Sequence, residues 1–300
     1  MPLQDSAYYL LAALALLSVG LPAAGNRFFF PPALVFAKWI RWALFAGLFA
    51  ALMEATGWSI RPVSTHLIVG AGLWFLLETG YNWLVIGALS RSPLPLFPEF
   101  RENRDGDEWP ADQPHLRIKD WLRDNGYSRI AALKAELYQE NYLRASVYQS
   151  SDARTRIQIL FIPKSRNGAS AFFSINSIST DGRRLITDNH SLPFGGYYPE
   201  NWLHSRKPLV GSLARLLRLH NKRAADASFE LADFDSGALP ELNGQQRLLE
   251  NLNIENGIIV PLPRQEEEGK LTGEGRYRIW LEMWLLAYFG KARSERASEA

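Results

Sequence analysis

The side chains best suited to chemistry in this 300-residue chain are Asp188, Asn189 and His190, followed closely by Trp202, His204 and Arg206. Histidine titrates near neutral pH, and a neighbouring carboxylate fixes its tautomer. His190 or His204 with Asp188 as orienter therefore has the make-up of a general base. Between them runs Pro193-Phe194-Gly195-Gly196-Tyr197-Tyr198-Pro199. Such a stretch serves either as a ligand-binding loop or as a glycine-hinged connector whose aromatics pack on a sheet. The six polar and aromatic residues are candidate ligand contacts, and none is assigned as catalytic.

Other chemistry has little to build on. The chain has no glycine-rich phosphate loop, no GxSxG and no HExxH, and its zero cysteines remove thiolate nucleophiles and most structural zinc designs. His190, His204 and His220 form no i, i+4 pair, so no metal and no cofactor is expected. His220 falls on the apolar face of a helical pattern, where a buried, hydrogen-bonded histidine is the default.

Charge divides the chain in two. Residues 1–98 carry only Asp5, Arg27, Lys38, Arg41, Glu54, Arg61, Glu78 and Arg91, which leaves 28 basic and 28 acidic residues in 99–300. Without a basic excess in that part, nucleic acid is an unlikely partner. The nearly uncharged first third holds apolar runs at about 8–22, 42–58 and 67–89, close to the length that crosses a bilayer. The first lacks the basic n-region of a signal peptide and is read as a retained span. Arg27, Lys38 and Arg41 in the first loop, against Arg61 alone in the second, predict the N-terminus outside and the large C-terminal part in the cytoplasm of a multi-pass inner-membrane protein. Trp39, Trp42 and Trp58 bracket the second span as an aromatic belt does.

Two features of these spans bear on partners. Ala43, Gly47, Ala51 and Ala55 form a small-residue stripe suited to helix packing, within the chain, in a homo-oligomer or against another membrane protein. Glu78 falls at the centre of the third span, where a carboxyl needs a partner: Thr79, Asn82 or a neighbouring helix for a structural role, or an ion for a functional one.

The elements that must position the polar stretch follow. Residues 93–114, rich in proline and charge, read as a linker. An α+β domain over 115–225 opens with two short helices, the first on Ile118, Trp121 and Leu122. The second, capped by Ser128, carries Ile130, Leu133 and Leu137 at i, i+3 and i+7. Alternation at Leu143/Ala145/Val147, Ile157/Ile159/Phe161, Phe173/Ile175 and Leu185 predicts a four-stranded antiparallel meander. Its turns fall at Ser151-Asp152, Asn167-Gly168 and Asp181-Gly182. A helix from Pro208 to about Lys222 follows, with Arg215, Arg218, Lys222 and Arg223 as a basic stripe, and the helices should cover one face of the sheet. Residues 226–300 read as a helix (240–253), a hairpin tipped by Glu266-Glu267-Glu268-Gly269, and an aromatic helix (275–289).

Helix, hairpin and Leu271-Thr272-x-x-Gly275 resemble the wing of winged-helix regulators. The run from Asp181-Gly182 through Leu185-Ile186-Thr187 to Leu213–His220 resembles membrane-anchored hypothetical proteins of bacteria over about residues 120–225. That resemblance implies a widespread domain and brings no catalytic residue. The leading expectation is a membrane-anchored cytoplasmic binding or assembly module. A membrane-bound enzyme using 188–206 on a small polar or lipid-linked substrate and a membrane-tethered transcriptional regulator are the alternatives.

Overall fold

The computed structural model describes residues 5–27, 30–106, 109–139, 141–163 and 169–293. The expected Asn167-Gly168 turn lies outside them. Three long helices come first: α1 (Asp5–Arg27), α2 (Pro31–Thr56) and α3 (Val63–Arg91). All three are long and apolar enough to cross a membrane. Pro31 and Pro32 suit the first turn of α2 because their missing N–H groups would have no helical acceptor there.

The helices run up and down beside one another. A Cβ on Gly70 would come within 3.0 Å of the Ala46 Cα, and one on Gly47 within 2.7 Å of Leu11. The small residues that α2 buries are Ala33, Ala37, Ala46 and Ala50. Of the expected stripe, Gly47 and Ala51 are half-buried while Ala43 and Ala55 face outward. Glu78 pairs with Lys38, with Nζ 2.6 Å from Oε1. Lys38 lies near the start of α2, about 27 Å of helical rise from its far end. Glu78, near the middle of α3, therefore faces the half of α2 nearer its start.

The remainder is a mixed sheet with helices on both faces. In chain order it comprises β1 (Phe100–Glu102), α4 (Gln113–Asp124), β2 (Tyr127–Tyr138), β3 (Asn141–Ser150), β4 (Arg156–Pro163), β5 (Ala169–Ser179), β6 (Arg184–Asp188), β7 (Trp202–Arg206), α5 (Leu213–Asp226), β8 (Leu231–Ala232), α6 (Ala238–Glu255), α7 (Gln265–Glu268) and α8 (Gly273–Phe289). Strand order follows the chain from β1 to β7, with β8 on β5. The expected meander is present as β3–β6, each strand antiparallel to the next.

Four expectations fail for physical reasons. The second short helix is β2. Its Ala131, Leu133, Ala135 and Leu137 also alternate with period two, and ten residues of β3 pair with it. The linker is not a free spacer, because Phe100 is buried in β1 and Asn243 of α6 clamps its backbone N–H and C=O, both at 2.8 Å. The helices cover two faces. Ile157, Ile159 and Phe161 of β4 meet α4 and α5, whereas Leu160 and Ile162 point to the other face with Leu242 of α6. The acidic tip is the short helix α7, and of the expected hairpin only one bridge, Ile259 to Leu271, remains among the described residues.

The last helix joins the two parts. α8 starts beside the end of α3, where Ser90 accepts the backbone N–H groups of Lys270 (2.8 Å) and Leu271 (3.0 Å). It ends where Trp39 Nε1 donates to the Tyr288 carbonyl at 2.7 Å.

Candidate functional site

The polar stretch is assembled by a strand that the sequence did not announce. β7 pairs with β6 in parallel, setting Asp188 opposite Arg206 and Ile186 opposite His204. Parallel neighbours need a crossover of about a dozen residues, and residues 189–201 are that crossover. Arg223 of α5 fastens the pair, donating to the Ile186 carbonyl of β6 and the Leu203 carbonyl of β7, both at 2.7 Å.

Asp188, His204 and Arg206 share one buried network. His204 Nε2 lies 2.5 Å from Asp188 Oδ2, and Arg206 Nε lies 3.2 Å from Oδ1, which also accepts the His190 N–H at 3.0 Å. Arg206 continues to Tyr198 OH (2.9 Å) and to Glu282 Oε1 of α8 (3.2 Å). Glu282 Oε2 in turn accepts the backbone N–H groups of Phe194 (2.8 Å) and Gly195 (2.6 Å). The His204 ring packs on Tyr198 with centroids 3.9 Å apart. Side-chain exposure is 3% for His204, 5% for Asp188 and 1% for Glu282.

The other candidates turn away. Asn189 ties β5 to the next loop, accepting from Phe173 N at 2.7 Å and donating to the Val210 carbonyl at 3.0 Å. The His190 ring stands edge-on to Phe172, with Nε2 buried and without a hydrogen-bond partner among the described residues. Trp202 packs with Ile186 and Tyr198. His220 is bonded as expected, to Thr187 (3.0 Å) and Ser177 (3.2 Å).

Electrostatics set the protonation. Burial works to raise the Asp188 carboxyl, but His190, His204 and Arg206 outweigh it and hold it well below the ordinary carboxylate range. Burial pushes His190 down, with Arg206 and His204 adding to it against Asp188. Burial and then Arg223 bring His220 to about 3. Burial opposes the charge on Arg206, yet Tyr198, Asp188 and Glu282 together raise its pKa.

Asn253, Arg278 and Glu282, which complete this network, were not expected, whereas Gly195, Gly196 and Tyr198 fall in the expected connector. Gly195 and Gly196 let the crossover touch two helices: a Cβ on Gly195 would come within 2.7 Å of Ile279, and one on Gly196 within 2.5 Å of Asn253 Oδ1. Asn253 of α6 accepts from Tyr197 N (2.7 Å) and donates to its carbonyl (3.0 Å). Arg278 of α8 donates to the Gly195 carbonyl at 2.7 Å. The available signal was Arg278 and Glu282, one helical turn apart in an aromatic helix and both pointing inward.

The Asp188–His204 contact has the geometry of an acid–base dyad, but the carboxylate is saturated and the imidazole is covered by Tyr198. The arrangement fastens the crossover to α8. Clefts of about 690 and 640 Å³ lie elsewhere, one beside the end of α3 and one between α5 and the β3–β4 turn. Among the described residues, no group of three or more His, Asp or Glu side chains converges as a metal site. No family model, no curated protein and no solved structure matches this chain.

Proposed function

We propose that the protein is a membrane-anchored binding or assembly module. In this reading three helices hold an α+β platform at the cytoplasmic face of the cell membrane, with the N-terminus outside. The observation that carries it is α8, which is pinned to both parts of the chain. Glu282 bonds the crossover of the sheet domain, and Tyr288 bonds Glu78 of α3 beside Lys38 of α2. A domain held so firmly against its anchor is suited to presenting a fixed surface to a second copy or a membrane protein. The titratable groups at 188–206 contribute as fasteners.

Cross-linking in native membranes, followed by denaturing purification, is expected to give one discrete adduct with a membrane partner or a second copy. An adduct-free monomer would defeat the assembly role. A reporter fused after residue 300 is expected to be active on the cytoplasmic side, and activity outside would reverse the orientation. The enzymatic alternative requires His204 to be reachable. Acylation by diethyl pyrocarbonate is expected to spare His204 in the folded chain, and rapid modification there would favour an enzyme.

A further inference from the structure

An apolar cleft of about 280 Å³ opens between the start of α2, the segment after β7 and α8, with Leu34, Leu209 and Leu286 in its walls. It adjoins a second cleft of about 160 Å³ that reaches Phe172, and the two share Pro31, Leu34, Ser191 and Pro208. One wall is thus the helix hairpin itself. Leu34 is 40% exposed, and Phe30 one turn before it is exposed too, so the trough continues onto the apolar outer surface of the helices.

The exposed charge at the rim has one sign. The residues that line the clefts are uncharged, and the acids next to them in the chain, Asp188 and Glu282, are buried in the network described above. Lys207 and Lys291 each adjoin a lining residue, Pro208 and Gly290, and both are exposed. Neither makes an ion pair among the described residues.

We propose that this cleft holds an anionic phospholipid, with one acyl chain in the trough and the headgroup phosphate against Lys207 and Lys291. The lipid comes from the surrounding bilayer, so the proposal rests on the membrane-anchored reading above. Apolar walls supply affinity for any acyl chain, and the cations supply selectivity for the headgroup.

The test uses the full chain in detergent micelles with equal amounts of phosphatidylglycerol and phosphatidylcholine, and native mass spectrometry of the retained lipid. Preferential retention of phosphatidylglycerol is expected. K207Q and K291Q should each reduce it by about fivefold. Ser191→Trp, at a position exposed in both clefts, should lower retention of both lipids. Equal retention of the two lipids by the unaltered chain would overturn the proposal, as would displacement of phosphatidylglycerol by an equal amount of oleate. A preference untouched by K207Q and K291Q would place the lipid elsewhere and overturn it too. Alkaline carbonate separates the two readings. A chain that stays in the membrane pellet but shows no headgroup preference defeats only the lipid site, whereas a chain released to the supernatant defeats the membrane reading and the lipid site together.

Discussion

The middle of α8 is fastened to the sheet domain and its last turn to the helices, by different means. Toward the sheet domain, Glu282 is almost fully buried, and its oxygens receive two backbone N–H groups and Arg206. Toward the helices, Tyr288 donates to Glu78, and Trp74 Nε1 donates to the Tyr288 hydroxyl at 3.0 Å. There the contact is largely aromatic: Trp284 stacks on Tyr288 at 4.8 Å, and Trp39 and Tyr288 meet edge-on at 5.2 Å. A buried charge costs several kcal/mol unless its partners are all in place, so the Glu282 contact admits essentially one arrangement. Ring packing adds area and about 0.5–1.5 kcal/mol per pair but tolerates tilt. The sheet-side contact therefore defines geometry, and the helix-side contact supplies adhesion.

That contrast can be broken most directly at Glu282. Glu282→Ala leaves the Phe194 and Gly195 N–H groups and part of Arg206 without partners in a closed site. A loss of about 3–5 kcal/mol is expected in denaturant unfolding of the detergent-solubilised chain. A loss below ~1 kcal/mol would mean the network is not structural. At the helix-side contact, Glu78→Ala removes one acceptor from Lys38 and Tyr288 and should cost less, about 2 kcal/mol. Replacing Lys38 and Glu78 together by methionine should recover much of it, since an apolar pair carries no desolvation penalty. Failure to recover would assign Glu78 a role beyond fastening.

Acid should separate the two contacts further, because the histidines that burial holds neutral, His190 and His220, belong to the sheet side. His220 stays neutral in the folded state down to about pH 3, while the unfolded chain takes up its proton near pH 6.5. Between those values the unfolded state binds more protons, so stability falls as pH falls, by about 1.4 kcal/mol per pH unit from this group. His190 adds in the same direction. Asp188, depressed in the fold, contributes stability above about pH 4 that is lost as pH drops through its folded value. His220→Gln should flatten the slope measured between pH 6.5 and 4 while leaving the neutral-pH contacts of α8 unchanged. The smallest effect is expected at the outward-facing Ala43. Ala43→Leu should change stability by no more than about 0.5 kcal/mol, whereas Gly70→Ala forces a contact on Ala46. A large loss at Ala43 would show that the face is covered in the membrane.

Much of the sheet was legible because its evidence is local. Ile157, Ile159 and Phe161 alternate, and Asp181-Gly182 supplies the left-handed residue of a turn, with Gly182 at φ +81°. β2 was not legible, since Leu133 and Leu137 satisfy helical and extended periods alike until β3 lies alongside. β7 was not legible either. Trp202–Arg206 is short and polar, and its parallel partner depends on where a 13-residue crossover returns. The candidate site was legible in part: Asp188, His204 and Arg206, with Tyr198 in the connector between them, stand close in the sequence, but Glu282, which closes the network, lies outside any local pattern.

Taken alone, the order of residues determined a nearly uncharged first third built for long apolar helices and a later part built for a sheet with helices. Hydropathy and period are read along the chain, so those features need no partner. Only the tertiary structure decided that Glu78 meets Lys38 and Tyr288, that helices cover both faces of the sheet, and that a dyad-like Asp188–His204 pair is sealed inside a fastening. Each of those depends on residues far apart in the chain, and burial and hydrogen-bond saturation are properties of the space they enclose.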